Sequence, residues 1–135
     1  MEVAKKQELI LLVDDEPAIV SVMKEFLENL EYKVIATTSG QEALDLFQQY
    51  ANQISVVITN LSMPKVSGID LTKKIKGDYP NTPVILCTGY GRVIGHQRTK
   101  DLDIAAYLGK PVTQNELART LHEVLMQLQK KGGNL

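Results

Sequence analysis

Val56-Val57-Ile58-Thr59-Asn60-Leu61-Ser62-Met63-Pro64 decides how this chain folds. Its first four residues are apolar or β-branched and read as a buried strand. Asn60 ends that strand, and Leu61 to Pro64 leads into a loop. An earlier run, Leu9-Ile10-Leu11-Leu12-Val13, has the same character and ends in Asp14-Asp15-Glu16. Two acidic strand ends side by side would make a site for a divalent metal and a phosphoryl group. With asparagine at the second end, the site keeps its shape and loses its nucleophile.

Working outward, three more strands are expected at Lys33–Thr37, Val84–Thr88 and Ala105–Leu108, with the central strand spanning Ile54–Thr59. Helix-period segments separate them. Pro17 to Leu30 places Ile19, Val20, Met23, Phe26, Leu27 and Leu30 on one stripe. Ser39-Gly40-Gln41-Glu42 reads as a capping box opening a helix with Ala43, Leu44 and Phe47 inward. Ile69, Leu71 and Ile75 mark a third helix, stopped by Gly77 and Pro80. A weaker helical pattern runs from Arg92 to Leu102. Thr113-Gln114-Asn115-Glu116 is a second capping box before a last helix with Leu117, Leu121, Val124, Leu125 and Leu128 inward, and a polar tail follows from Lys130.

Strand and helix alternating five times imply an α/β fold with a mostly parallel sheet and helices on both faces. Ligands of such sheets sit at the carboxyl ends of the strands. That rule converges Asp14, Asp15, Asn60, Thr88 and Lys110 on one rim. Two carboxylates and a nearby carbonyl suit Mg²⁺, a hard ion with oxygen ligands. A lysine offers a point charge to a phosphate oxygen, a threonine hydroxyl can donate to another, and Gly89 leaves room for a phosphoryl group. A carboxylate at position 60 could attack a phosphoryl donor; an amide cannot.

Each piece alone has a plainer reading. Acidic triplets after strands are usually solvated turns, Lys110 would more often be a surface lysine, and Cys87 a small buried hydrophobe. His96 and His122 have no partner at a metal-ligand spacing. The case rests on the joint arrangement.

The 135 residues fit one domain, with its core at about 8–128. Fifteen basic and 16 acidic residues leave a net charge of -1, so nothing draws the chain as a whole to nucleic acid or to an anionic membrane. No apolar stretch approaches a membrane span, and no signal sequence opens the chain. The single cysteine fits a reducing cytoplasm.

The joint pattern resembles the receiver domain of two-component response regulators. It consists of Asp14-Asp15 after the first strand, Met63-Pro64 and Gly68 after the third, Thr88-Gly89 after the fourth and Lys110-Pro111 after the fifth, with Tyr107 three residues before the lysine. The resemblance implies a doubly wound five-stranded parallel sheet in the flavodoxin-like order 2-1-3-4-5. It implies that Asp14, Asp15, position 60 and the Ser62 carbonyl hold Mg²⁺, and that position 60, Thr88 and Lys110 handle the phosphoryl group. It further implies that Thr88 and Tyr107 form a rotamer switch and that the Lys110–Pro111 bond is cis. The family carries its phosphoacceptor aspartate where this chain has Asn60. A non-phosphorylatable receiver with weakened Mg²⁺ binding is therefore expected, and not an enzyme as an isolated domain.

The implied partners are a histidine kinase or a phosphotransfer protein. Output would be a protein contact, with dimerisation through the face of the fourth helix, fifth strand and fifth helix. Cys87 to Gly91 is similar to receivers in hybrid sensor histidine kinases, and a stand-alone regulator suits the length equally well. Two other readings compete. A Mg²⁺-dependent phosphotransferase of the haloacid-dehalogenase type would want Asp-x-Asp after the first strand, and a flavodoxin-like cofactor binder would want a Ser/Thr/Gly-rich phosphate loop there.

Overall fold

The computed structural model describes residues 8–89 and 99–133, with side chains to residue 128. Its elements are β1 (Leu9–Val13), α1 (Pro17–Asn29), β2 (Lys33–Thr37), α2 (Gly40–Tyr50), β3 (Ile54–Asn60), α3 (Gly68–Asp78), β4 (Val84–Thr88), β5 (Ala106–Gly109) and α4 (Gln114–Gly133). The strands form one parallel sheet in the order β2-β1-β3-β4-β5. This is the doubly wound order that the resemblance implied.

Alternate residues of each central strand feed opposite faces. Ile10, Leu12, Val56, Ile58, Ile85 and Cys87 pack in one core, against Met23 and Leu27 of α1 and Leu117, Leu121 and Val124 of α4. Leu11, Val13, Val57, Val84 and Leu86 pack in the other, against Ala43 and Phe47 of α2 and Leu71 and Ile75 of α3. Burial on both faces explains why the strands read as unbroken apolar runs rather than as alternation.

Several local expectations are corrected. β3 runs one residue further, because Asn60 still pairs in register with Cys87. β5 is Ala106–Gly109 rather than Ala105–Leu108. Gly77 does not stop α3, which continues to Asp78. A lone glycine costs a helix about 1 kcal/mol, too little to end one already packed through Leu71 and Ile75. The tail expected from Lys130 continues α4 to Gly133. Of the helix expected at Arg92 to Leu102, residues 92–98 lie outside the described residues, and 99–102 are turn and bend. His96 also lies outside them; His122 is exposed.

The caps follow their sequence signals unevenly. At α4, Thr113 Oγ1 accepts from the Glu116 N–H, and the Glu116 carboxylate accepts from the Thr113 N–H. At α2 only half the box forms. Ser39 Oγ accepts from the Glu42 N–H, but the Glu42 carboxylate takes the Thr37 hydroxyl, and the Ser39 N–H turns to Thr37 Oγ1. The nearby Thr37 outcompetes the reciprocal bond. A third box, Ser67 with Asp70 at α3, is fully formed and went unread.

Candidate functional site

The site lies where β1, β3, β4 and β5 end. Asp14 follows β1, and its N–H donates to the Thr37 carbonyl of β2 at 3.3 Å. Its side chain is buried. Asp14 Oδ1 accepts from the Glu16 N–H at 3.0 Å and Oδ2 meets Lys110 Nζ at 2.7 Å. Glu16, exposed at the mouth, lies a looser 3.8 Å from the same ammonium. Lys110 therefore reaches across the sheet from β5 to β1. Its N–H donates to the Thr88 carbonyl at 3.0 Å, and its bond to Pro111 is cis.

Asn60 is held by the sheet at its backbone and by two acceptors at its side chain. Its amide nitrogen donates to Asp15 Oδ1 at 3.2 Å and to the Ser62 carbonyl at 2.8 Å. Both partners are acceptors only, so the NH₂ group and not the carbonyl must face them. The Leu61 N–H then donates to the Cys87 carbonyl at 2.8 Å, which keeps the chain on β4 as it leaves the strand.

The loop that follows is pinned at both sides. The Gly68 N–H returns to the Leu61 carbonyl at 2.9 Å, and a Cβ on Gly68 would lie 2.2 Å from the Asn60 carbonyl oxygen. Gly40, opening α2, would bring a Cβ to 2.5 Å from the Val66 carbonyl oxygen. Between them, the Val66 N–H donates to the Pro64 carbonyl at 2.7 Å around Lys65, whose φ is 67°. An i→i+2 bond around a residue of positive φ is a strained γ-turn.

Asp15, Asn60, Ser62, Thr88 and Lys110 line one open cleft of about 390 Å³. Sequence reasoning thus placed five residues in a common wall. It also placed Asp14 there, but the structure sinks that carboxylate behind Lys110. Tyr107 stands apart: it is half-buried on β5, packs on the α2–α3 side of the sheet, and its hydroxyl meets that of buried Thr99. Thr99 was missed, because a threonine in a weakly helical stretch carries no signal of its own. Leu61, also missed, and Gly68, read as part of the joint pattern, set the backbone on which Asn60 sits.

As arranged, the donor set does not fit a divalent cation. The oxygens of Asp15 and Ser62 that would face one are turned to amide hydrogens, and an Asp14 oxygen is paired with Lys110. Among the described residues no group of three or more His, Cys, Asp or Glu side chains could hold a metal. Cys87 lies under the cleft. Burial pushes its thiol up to about 12, with Lys110 pulling down and Asp14 pushing up more weakly, so it is protonated and unreactive at neutral pH.

Comparison with known proteins points one way. The response regulator receiver domain family model matches residues 10–122. The response regulator SaeR of Staphylococcus aureus is 32% identical over 123 residues, 90% of this chain and 52% of SaeR. The chain therefore spans about half the length of the relatives it matches at this level. A receiver domain from Clostridium thermocellum superposes with a TM-score of 0.85 at 33% identity, covering 95% of this chain and 99% of the other. Vibrio cholerae CheY4, a chemotaxis protein, gives 0.81 at 27% identity, covering 87% and 98%.

Proposed function

The chain belongs to the response regulator receiver domain family, and from that premise we propose that it is a two-component receiver that signals without accepting a phosphoryl group. One observation carries the second half of this reading. Asn60 stands at the end of β3 with Asp15, Ser62, Thr88 and Lys110 around it, and in this reading it takes the position of the family's phosphoacceptor aspartate. Its amide has no ionisable oxygen, and an acyl phosphate cannot form on it.

In this reading the roles divide by position. Lys110 and Thr88 are the groups that would contact a phosphoryl oxygen. Asp14, Asp15 and the Ser62 carbonyl take the places of the acidic pair and loop oxygen at which the family binds Mg²⁺, and here the Asn60 amide and Lys110 occupy those oxygens instead. Thr88 and Tyr107 form the conformational switch, and the Tyr107–Thr99 bond biases it toward the half-buried ring. The domain spans about residues 8–128 and has no catalytic turnover of its own. Its partners are a histidine kinase or a phosphotransfer protein in the cytoplasm. Its output is a protein contact, including a second copy of the chain, through the face expected from the fourth helix, fifth strand and fifth helix, of which β5 and the last helix, α4, are the described members. Nucleic acid and membrane are not partners of this domain, in keeping with its near-neutral charge. Among the described residues no helix is long and apolar enough to cross a membrane.

A kinase segment encoded in the same reading frame would place this receiver within a hybrid kinase, and an open reading frame without one would make it a stand-alone regulator. The central test is chemical. The chain and its Asn60→Asp variant are incubated with acetyl phosphate and Mg²⁺ and weighed intact. The expected outcome is a phosphoryl adduct on the variant alone. An adduct mapped to Asn60 itself would end the proposal.

A further inference from the structure

We infer that the Asn60 amide does the work of a cation at this rim, tying β1 to the β3–α3 loop so that the site closes without metal. Asp15 follows β1 and Ser62 lies in the loop after β3. One NH₂ group joins both, at 3.2 Å and 2.8 Å. A divalent ion links a carboxylate to a backbone carbonyl by lying between their oxygens. Two N–H bonds from one nitrogen achieve the same link with partial charges.

Amide and cation exclude each other. To admit an ion, the side chain must turn its Oδ1 inward, against two oxygens that repel it until the ion arrives. Both hydrogen bonds are lost in that turn. Two of the three carboxylates at the rim already have partners: Lys110 pairs with Asp14, and the amide dipole is directed at Asp15, while Glu16 lies at the exposed mouth 3.8 Å from the same ammonium. An aspartate at position 60 would add a charge and remove both donors, so its rim would need the ion to close.

The bridge also spans two stiff bodies. Asn60 is fixed in the β3–β4 ladder, and the loop beyond Ser62 is clamped through Gly68 on Leu61 and Gly40 on Val66. The receiver reading enters only in naming Mg²⁺ as the competing ion.

Thermal unfolding of the chain, Asn60→Ala and Asn60→Asp, each in chelator and in millimolar Mg²⁺, tests the inference. The chain should melt at the same temperature in both conditions. Asn60→Ala should melt roughly 5 °C lower in chelator, the size of shift expected from losing one or two hydrogen bonds in a domain of this length. Asn60→Asp should melt lowest in chelator and gain most from Mg²⁺. Equal melting of the chain and Asn60→Ala would reduce the amide to a neutral filler and overturn the bridge. So would a Mg²⁺-induced rise in the chain as large as that of Asn60→Asp.

Should Asn60→Ala fail to fold, the side-chain NH₂ of Asn60 decides by NMR. Two inequivalent, slowly exchanging protons unmoved by Mg²⁺ support the bridge. A rapidly exchanging pair, or one shifted by low Mg²⁺, refutes it. Acetyl phosphate labelling of Asn60→Asp in the same preparation keeps the two readings apart. Absence of label beside a Mg²⁺-insensitive chain would sink the receiver chemistry and leave the bridge; label beside a Mg²⁺-sensitive chain would do the reverse.

Discussion

On the β1–β3 side of the rim the Asn60 amide ties Asp15 to the Ser62 carbonyl; on the β4–β5 side the Lys110 N–H meets the Thr88 carbonyl, and the Tyr107 hydroxyl turns away to Thr99. The first side is held across the cleft mouth by a side chain. The second is held by backbone, with its aromatic side chain anchored behind the sheet. Lys110 connects the two through Asp14. The difference lies in what a ligand must disturb. At the first side it must break bonds within the cleft. At the second it meets Lys110, whose backbone bond to Thr88 it leaves in place.

The largest break in this comparison should come from Lys110→Met, which severs the connection and leaves a buried carboxylate unpaired. Breaking a buried pair costs about 3 kcal/mol or more. Urea unfolding should show that loss, whereas Lys24→Met, which removes an exposed pair with Glu28, should cost under about 0.5 kcal/mol. Equal effects of the two substitutions would mean that Lys110 does not hold the halves together.

Gly68→Ala strikes the first side alone. Its Cβ would press on the Asn60 carbonyl, a backbone atom, so the loop must move. A loss of about 2 kcal/mol is expected, along with a shift of the Asn60 side-chain amide resonances and little change at Tyr107. Unchanged Asn60 resonances would dissolve the link between the glycine and the bridge.

Cys87 lies under the second side, and its prediction concerns pH. The folded thiol titrates near 12 and the ordinary value is 9.0, so the folded state disfavours the thiolate. Below pH 9 the thiol is neutral in both states and costs nothing. As pH rises from 9 toward 12 the unfolded chain ionises first, and stability falls. At pH 10 the loss should be about 1.4 kcal/mol relative to pH 8. Cys87→Ala should flatten that part of the profile, and parallel profiles for the two proteins would contradict the burial argument.

Smallest is Tyr107→Phe, which removes one hydroxyl pair and should cost about 1 kcal/mol. The sharper readout is spatial. Chemical shifts should change at Thr99 and along β5, and not at Asn60. Movement at Asn60 would show the two sides more tightly coupled than the bonds between them suggest.

Much of this was legible in the sequence, for identifiable reasons. Leu9–Val13 and Val84–Thr88 were clear because strands buried on both faces read as apolar runs, and the strand-end rule then gathered Asp15, Asn60, Thr88 and Lys110. The α4 cap was clear because Thr113 and Glu116 exchange both bonds of the box within a single turn. The α2 cap was half wrong, since Thr37 becomes a competitor only once β2 is in place. Asp14 looked like a rim carboxylate because sequence does not say how deep a strand end lies. The donor role of Asn60 was hidden for a related reason. An amide offers a carbonyl and an NH₂, and the choice follows from which oxygens surround it, here those of Asp15 and Ser62.

The two tight glycines set a limit on how this loop can be re-engineered. Gly40 meets Val66 from one side and Gly68 meets Asn60 from the other, so the stretch from Leu61 to Ser67 is a fixed span between two closed gates. A longer loop transplanted from a homologue would have to bulge at the γ-turn around Lys65, the one strained backbone position within it. Lys65→Gly would relieve that strain, making position 65 the natural splice point for an inserted tag or sensor peptide. An insertion on either side of it would instead be transmitted into α2 or into the end of β3.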